Sequence, residues 1–280
     1  MSARADRRSL RATGGRVYAL LTKEILDLRQ NPGVFWPALL TGTISLLLPF
    51  IVAVFIPVMS GERLSASSDF RIAADMYRDQ PGARALDPEG AIQAFIFQQF
   101  LPLLVLAPIA ASMSVAAFSI IGEKQARTLE PLLATPISTL ELLLAKVLGS
   151  LVPALLLTLA CFAVYVAAVG ALAHPGVWRI LFVPRSIGVV FLVGPLAALA
   201  ALQLAVCVSS RVNDARSAQQ IGALIIIPLS ALLVGQLTGV VTVTMPLIAL
   251  IALVLTGVNA ALIVVGVALF DRESILTRWK

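Results

Sequence analysis

Apolar residues run through this chain in long blocks, and the charged positions mark where the blocks end. Five stretches contain no Asp, Glu, Lys or Arg: 30–61, 90–122, 147–178, 186–210 and 217–270. A helix rises ~1.5 Å per residue and about 20 apolar residues cross a bilayer, so the first four stretches can each span once and the fifth twice. The pattern predicts an all-α polytopic membrane protein with six transmembrane helices, at about 34–59, 91–121, 147–173, 187–208, 221–237 and 245–270. The division of the last block rests on Gly235, Gly239, Thr242, Thr244 and Pro246; a short re-entrant element at this point is the alternative. Pro37, Pro49 and Pro57 in span 1 are tolerable where neighbouring helices satisfy the carbonyls they free. Span 2 exceeds one membrane thickness, so it has to tilt, protrude or kink at Pro102 or Pro108.

The segments between the blocks have patterns of their own. Residues 1–33 form a tail with Arg4, Arg7, Arg8 and Arg11, followed from Val17 by a helical period. Val17, Leu20, Leu21, Ile25 and Leu28 share one face and Lys23, Glu24, Asp27 and Arg29 the other, which predicts an amphipathic helix in the interface, ended by Asn31-Pro32-Gly33. The tail does not read as a cleavable signal peptide, because the apolar run behind it is too long and too far from the start. The loop 60–90 allows a short helix with Phe70, Ala73 and Tyr77 on one side, broken at Gln80-Pro81-Gly82.

Segment 122–146 is more informative. Thr128 is placed to cap a short helix whose first turn holds Glu130 and Pro131, and Leu129, Leu132 and Leu133 then share a face. Ser138-Thr-Leu-Glu141 is a capping box that starts the helix leading into span 3. Such a helix either lies on lipid headgroups or serves as a docking knob.

Composition sharpens the picture. Hydrophobic residues make up 59% and charged residues 13%, about half the charged fraction of ordinary soluble domains. Of the 21 basic residues, 15 fall in 1–33, 122–146, 209–220 and 271–280, which the positive-inside rule puts in the cytoplasm together with both termini. The excess charge of +6 is thus a topology signal rather than a nucleic-acid patch. We expect a multi-pass protein of a prokaryotic plasma (inner) membrane.

One histidine, His174, and two cysteines, Cys161 and Cys207, exclude a His/Cys zinc site or a disulfide framework, and no metal site is expected. The chain has no G-x-x-x-x-G-K-[ST] loop, so it is not expected to be an enzyme, and any ATP dependence must come from a partner. It offers no nucleophile with a base and no paired acids at membrane depth, which argues against a membrane-embedded protease or transferase. No ionisable residue lies deep in a span, which disfavours an ion-coupled carrier and favours an apolar or amphipathic cargo. The polar residues within the spans are amides: Gln93, Gln98, Gln99, Gln203, Gln236 and Asn259. Gln203 and Asn259 read as glue between helices.

Gly122-Glu-Lys with Thr128-Leu-Glu-Pro-Leu-Leu-Ala-Thr-Pro136 resembles the cytoplasmic loop of permeases of the type 2 ATP-binding-cassette (ABC) exporter family. Lys23-Glu24 with Arg29-Gln-Asn-Pro32, Ser209 to Gln220 and Phe270-Asp-Arg-Glu273 extend the likeness over nearly the whole chain except 60–90. The resemblance implies a transmembrane subunit that forms a pathway as a dimer, with a second copy or a related permease, and two copies of a separate ATPase subunit carrying ATP and Mg. Segment 122–146 then holds a coupling helix. The coupling interface implied is Lys23, Glu24, Glu123, Lys124, Arg127, Thr128, Leu129, Glu130, Leu132 and Leu133. Because the family lines its pathway with spans 1, 2 and 5, Gln98, Gln99 and Gln236 are the pathway candidates. Members serve drugs, ions, lipids and glycans. Export of a hydrophobic or amphipathic small molecule is the leading expectation, with ion or lipid/glycan export, or a non-transporting assembly factor, as alternatives.

Overall fold

The computed structural model describes residues 36–66, 86–125, 139–209, 215–237 and 240–269, together with position 212 and six positions before span 1 (15, 18, 19, 22, 23 and 26), each helical. Among the described residues there is no strand, and six helices are long and apolar enough to cross a membrane: Trp36–Ser60, Pro88–Glu123, Leu143–Leu172, Pro184–Ser209, Arg216–Gln236 and Met245–Leu269. The all-helical, six-span expectation holds. The basic tail, most of the predicted interfacial helix, the short helix at 70–77, the coupling helix and the segment after Leu269 lie outside the described residues.

Neighbour contacts fix the directions of the spans. Gly42 sits against Ala107 and Cys161, while Phe50 stacks on Phe97 and Tyr165, so span 2 runs against spans 1 and 3. Gln98 meets Ser186 and Ser112 meets the Ala198 carbonyl, so spans 2 and 4 run together. We call the end of the bundle that holds Trp36, Glu123 and Leu143 the near end, and the end that holds Ser60, Pro88 and Leu172 the far end.

Spans 2 and 4 form the centre: 83% and 67% of their apolar windows are buried, against 11–28% for the other four. Their contact is built from small side chains, including Ala107, Ala111 and Ala116 on one helix and Ala197, Ala198 and Ala201 on the other, which let the backbones approach closely. Span 5 crosses this pair at Gly222, where a Cβ would meet the Met113 sulfur at 2.9 Å and the Ala201 carbonyl at 3.4 Å.

Prolines shape the helices, and the structure shows how their damage is absorbed. In spans 1 and 4 a π-helical turn (Ile51–Phe55 and Val189–Val193) stands two residues ahead of a proline, Pro57 and Pro195. The wider turn makes room for the ring against the preceding carbonyls. Pro57 cannot donate to the Ala53 carbonyl, which instead accepts from Gln93 Nε2 at 3.3 Å. The same amide's Oε1 accepts from the His174 N–H at 2.8 Å, so Gln93 ties spans 1, 2 and 3 together. Span 2 narrows to a 3-10 turn at Leu101–Val105 around Pro102 and runs as regular helix through Pro108.

The far ends of spans 1 and 2 are capped tightly. Gly61, at φ 69°, closes span 1 with its N–H on the Pro57 carbonyl. Asp87 Oδ1 caps span 2 by accepting from the Gly90 N–H at 3.2 Å, with Pro88 in the first turn. Glu89 in that turn accepts from the Leu64 and Ser65 N–H groups. A Cβ at Gly90 would lie 2.6 Å from Asp87 Oδ1. Gly90→Ala should therefore lower stability by about 1 kcal/mol, as loss of a cap does. Combined with Asp87→Ala it should add little more, which a double-mutant cycle of thermal unfolding in detergent will read.

Candidate functional site

Two polar clusters stand out in the apolar bundle, one at each end. At the near end the span 2 helix runs on to Gln125, and the helix that enters span 3 begins at Thr139 with Glu141 in its first turn. These are the two longest helical stretches, Pro88–Glu123 at 36 residues and Thr139–Leu172 at 34, about 50 Å each at ~1.5 Å per residue. Both outreach a hydrocarbon core of ~30 Å.

A buried ion cluster joins them. Lys146, only 1% exposed, places Nζ 2.8 Å from Glu123 Oε2 and donates to Ser119 Oγ at 2.7 Å. Glu123 is itself 6% exposed, and its other oxygen, Oε1, accepts from Lys23 in the segment before span 1. The carboxylate thus ties three chain segments into one unit and pins both roots of the 126–138 stretch. Two of the coupling residues expected from the sequence, Lys23 and Glu123, are brought together here as each other's partners. Glu24, Arg127, Thr128, Leu129, Glu130, Leu132 and Leu133 lie outside the described residues, as does the side chain of Lys124.

Sequence reasoning did not single out Lys146. The available signal was a lone lysine in the apolar run Leu142–Leu148, a placement that demands a carboxylate nearby.

The second cluster contains the three pathway candidates, and all three are buried within the chain. Gln99 Nε2 donates to the Gln236 backbone carbonyl at 2.9 Å, and Gln236 Nε2 donates to Gln99 Oε1. Gln98 Nε2 donates to Ser186 Oγ at 3.2 Å, and that hydroxyl donates to the Ile180 carbonyl. Adjacent glutamines on span 2 therefore reach span 5 and span 4.

A third amide set lies toward the near end. Gln203 Nε2 donates to Asn259 Oδ1 at 3.0 Å, and Asn259 Nδ2 donates to the Leu196 and Leu255 carbonyls. This is the glue role expected for the pair, joining spans 4 and 6. Tyr165 does similar work between spans 3 and 2, packing on Phe97 and donating to its carbonyl at 2.9 Å. Cys161 and Cys207 are both buried and free. Among the described residues no group of three or more His, Cys, Asp or Glu side chains is placed to hold a metal ion.

This arrangement holds helices in place and could transmit a displacement between them; it offers no constellation for bond chemistry. The family model for the ABC-2 family transporter protein matches residues 87–264, from the cap of span 2 into span 6. Neither a curated protein nor a solved structure matches the chain. With more than half its length matched and six spans in place, the chain belongs to the ABC-2 transporter family, multi-pass membrane proteins that serve as the permease subunit beside an ATP-binding subunit.

Proposed function

We propose that this chain is the transmembrane half of an ATP-driven exporter, working as a dimer and driven by two copies of a separate ATPase subunit that carries ATP and Mg. The observation that carries the reading is the near-end assembly. Two helices of about 50 Å project beyond the bilayer core and are locked to each other and to the segment before span 1 by Glu123. A docking helix at 128–133, mounted between such roots, would pass a push from an ATPase straight into spans 2 and 3. Leu129, Leu132 and Leu133 would fill a groove on that subunit, while Lys124, Arg127 and Glu130 would form charged contacts at its edge. Lys23 and Glu123 act in this reading as the internal brace beneath the interface.

The dimer has support in what the bundle leaves uncovered. Span 5 is 11% and span 1 is 22% buried, so both offer apolar faces to lipid or to a second subunit. The near end is cytoplasmic by its basic excess, and the membrane is the plasma membrane of a prokaryote. The uncharged interior suits a hydrophobic or amphipathic small molecule, with ions, lipids or glycans as other cargo classes.

Orientation is tested by thiol labelling in intact cells, since both native cysteines are buried. A membrane-impermeant maleimide should label Ser60→Cys at the far end and leave Ser138→Cys unmodified until the cells are opened. The reverse pattern contradicts the topology. Export is tested in proteoliposomes holding this chain and its ATPase. An amphipathic fluorescent dye should raise ATP hydrolysis and be moved across the membrane, whereas stimulation by a sodium salt or a phospholipid alone would reassign the cargo.

A further inference from the structure

Span 5 is the least buried of the six, yet one of its residues is held firmly. Among the described residues of Ile226–Leu237, Gln236 alone is fully buried, at 2% exposure, while Ile227 and Val234 stand open. The reciprocal amide bonds between Gln236 and Gln99 are therefore what fastens the far half of span 5 to span 2. In an apolar bundle such a pair is directional and all-or-none, because separating it leaves both amides to find new partners.

The fastening is also incomplete. Gln236 Oε1 is buried with no hydrogen-bond partner, beside a cavity of about 10 Å³ lined by Gln98, Leu101, Pro102, Arg185, Ser186 and Val243 among others. That is about the room one water needs, and a partly satisfied buried network is held less tightly than a complete one. On the other side of the pair, span 2 leaves regular helix at once, in the 3-10 turn Leu101–Val105 around Pro102, a type of irregularity that often marks a hinge. An amide clasp with one open acceptor, placed next to a helix break, has the makings of a release point.

We propose that Gln99 and Gln236 form a latch that holds the far half of span 5 against span 2 and opens once per transport cycle. The latch rests on the exporter reading for its role in the cycle, while the fastening itself does not. Its opening would swing span 5 outward about the Gly222 crossing and uncover the amide-lined cavity that Gln98 and Ser186 border.

Hydrogen exchange on the full-length chain in complex with its ATPase subunit tests both parts. Replacing Gln99 on span 2 by Leu should speed exchange of backbone amides in 226–237 of span 5 by roughly tenfold, since an amide contact of this kind in a membrane bundle is worth on the order of 1 kcal/mol and two are lost. Gln203→Leu, which deletes an equally buried amide elsewhere, should leave that segment unchanged. If Gln99→Leu does not fold, Gln99→Met, matched in length but without the amide, carries the same comparison. Exchange in 226–237 equal to wild type in the variant overturns the latch. Adding ATP and Mg to the wild-type complex should speed exchange of the same segment. Hydrolysis without that change shows a static fastener and overturns the opening step. A complex that hydrolyses no ATP sinks the exporter reading and the cyclic role with it, while the effect of Gln99→Leu would still establish the fastening.

Discussion

Lys146→Met should remove a large part of the stability of this protein. The ammonium is 1% exposed and held by Glu123 at 2.8 Å and Ser119 at 2.7 Å, so its loss strands a buried carboxylate whose other named partner, Lys23, is partly exposed. Breaking a buried pair from one side costs about 3–5 kcal/mol, against a total stability of roughly 5–15 kcal/mol for ordinary domains. Replacing both charges should be far milder, because no unpaired group is left. Lys146→Met with Glu123→Gln should therefore recover most of the loss. Thermal or denaturant unfolding of the four proteins in one detergent checks this, and an unperturbed single variant would remove the ion cluster from the account. The pattern also separates two roles for Glu123. If it braces the fold, Glu123→Gln weakens the isolated chain; if it faces the ATPase, the isolated chain is indifferent and only the complex suffers.

Leu132→Asp should have the opposite signature: an isolated chain of nearly unchanged stability and a complex that falls apart. An apolar side chain filling a partner's groove is the kind of contact whose truncation costs 2 kcal/mol or more, and a carboxylate adds a desolvation penalty. A loss of about thirtyfold or more in affinity for the ATPase follows, since ~1.4 kcal/mol is a factor of ten. Glu130→Lys, at the edge of the same helix, should weaken binding less and mainly through the association rate and its salt dependence. The measurement is retention of the ATPase subunit on immobilised chain, with stimulated ATP hydrolysis as a second readout. Equal retention by Leu132→Asp and wild type would place the helix on the lipid surface instead.

The frame of the molecule could be read from the sequence because a bilayer imposes one requirement on every span, length in apolar residues, and charges interrupt the chain wherever that requirement lapses. The cores of spans 2 and 4 could not be ranked above the rest in the same way, since all six spans are comparably apolar and only packing distinguishes them. Alanine content was the available hint, with Ala197, Ala198, Ala200, Ala201 and Ala205 all buried in span 4.

Long-range polar pairs were further from reach. Lys23 and Glu123 are 100 residues apart and Gln99 and Gln236 are 137 apart, so nothing local selects the partner. The freed carbonyl at Ala53 was foreseeable from Pro57, whereas its rescue by Gln93 was not. For Gln98, Gln99 and Gln236 the residue type marked a polar spot in lipid, and the structure added what the spot is made of: amides closed on one another, on Ser186 and on a small cavity.

The most direct measurement is purification of this chain from its own membranes in a mild detergent, followed by assay of Mg-dependent ATP hydrolysis in the eluate. An exporter subunit should bring with it, in fixed ratio, a protein carrying a G-x-x-x-x-G-K-[ST] loop, and the eluate should hydrolyse ATP. A chain that elutes intact and folded with no such partner and no hydrolysis would contradict the proposed function.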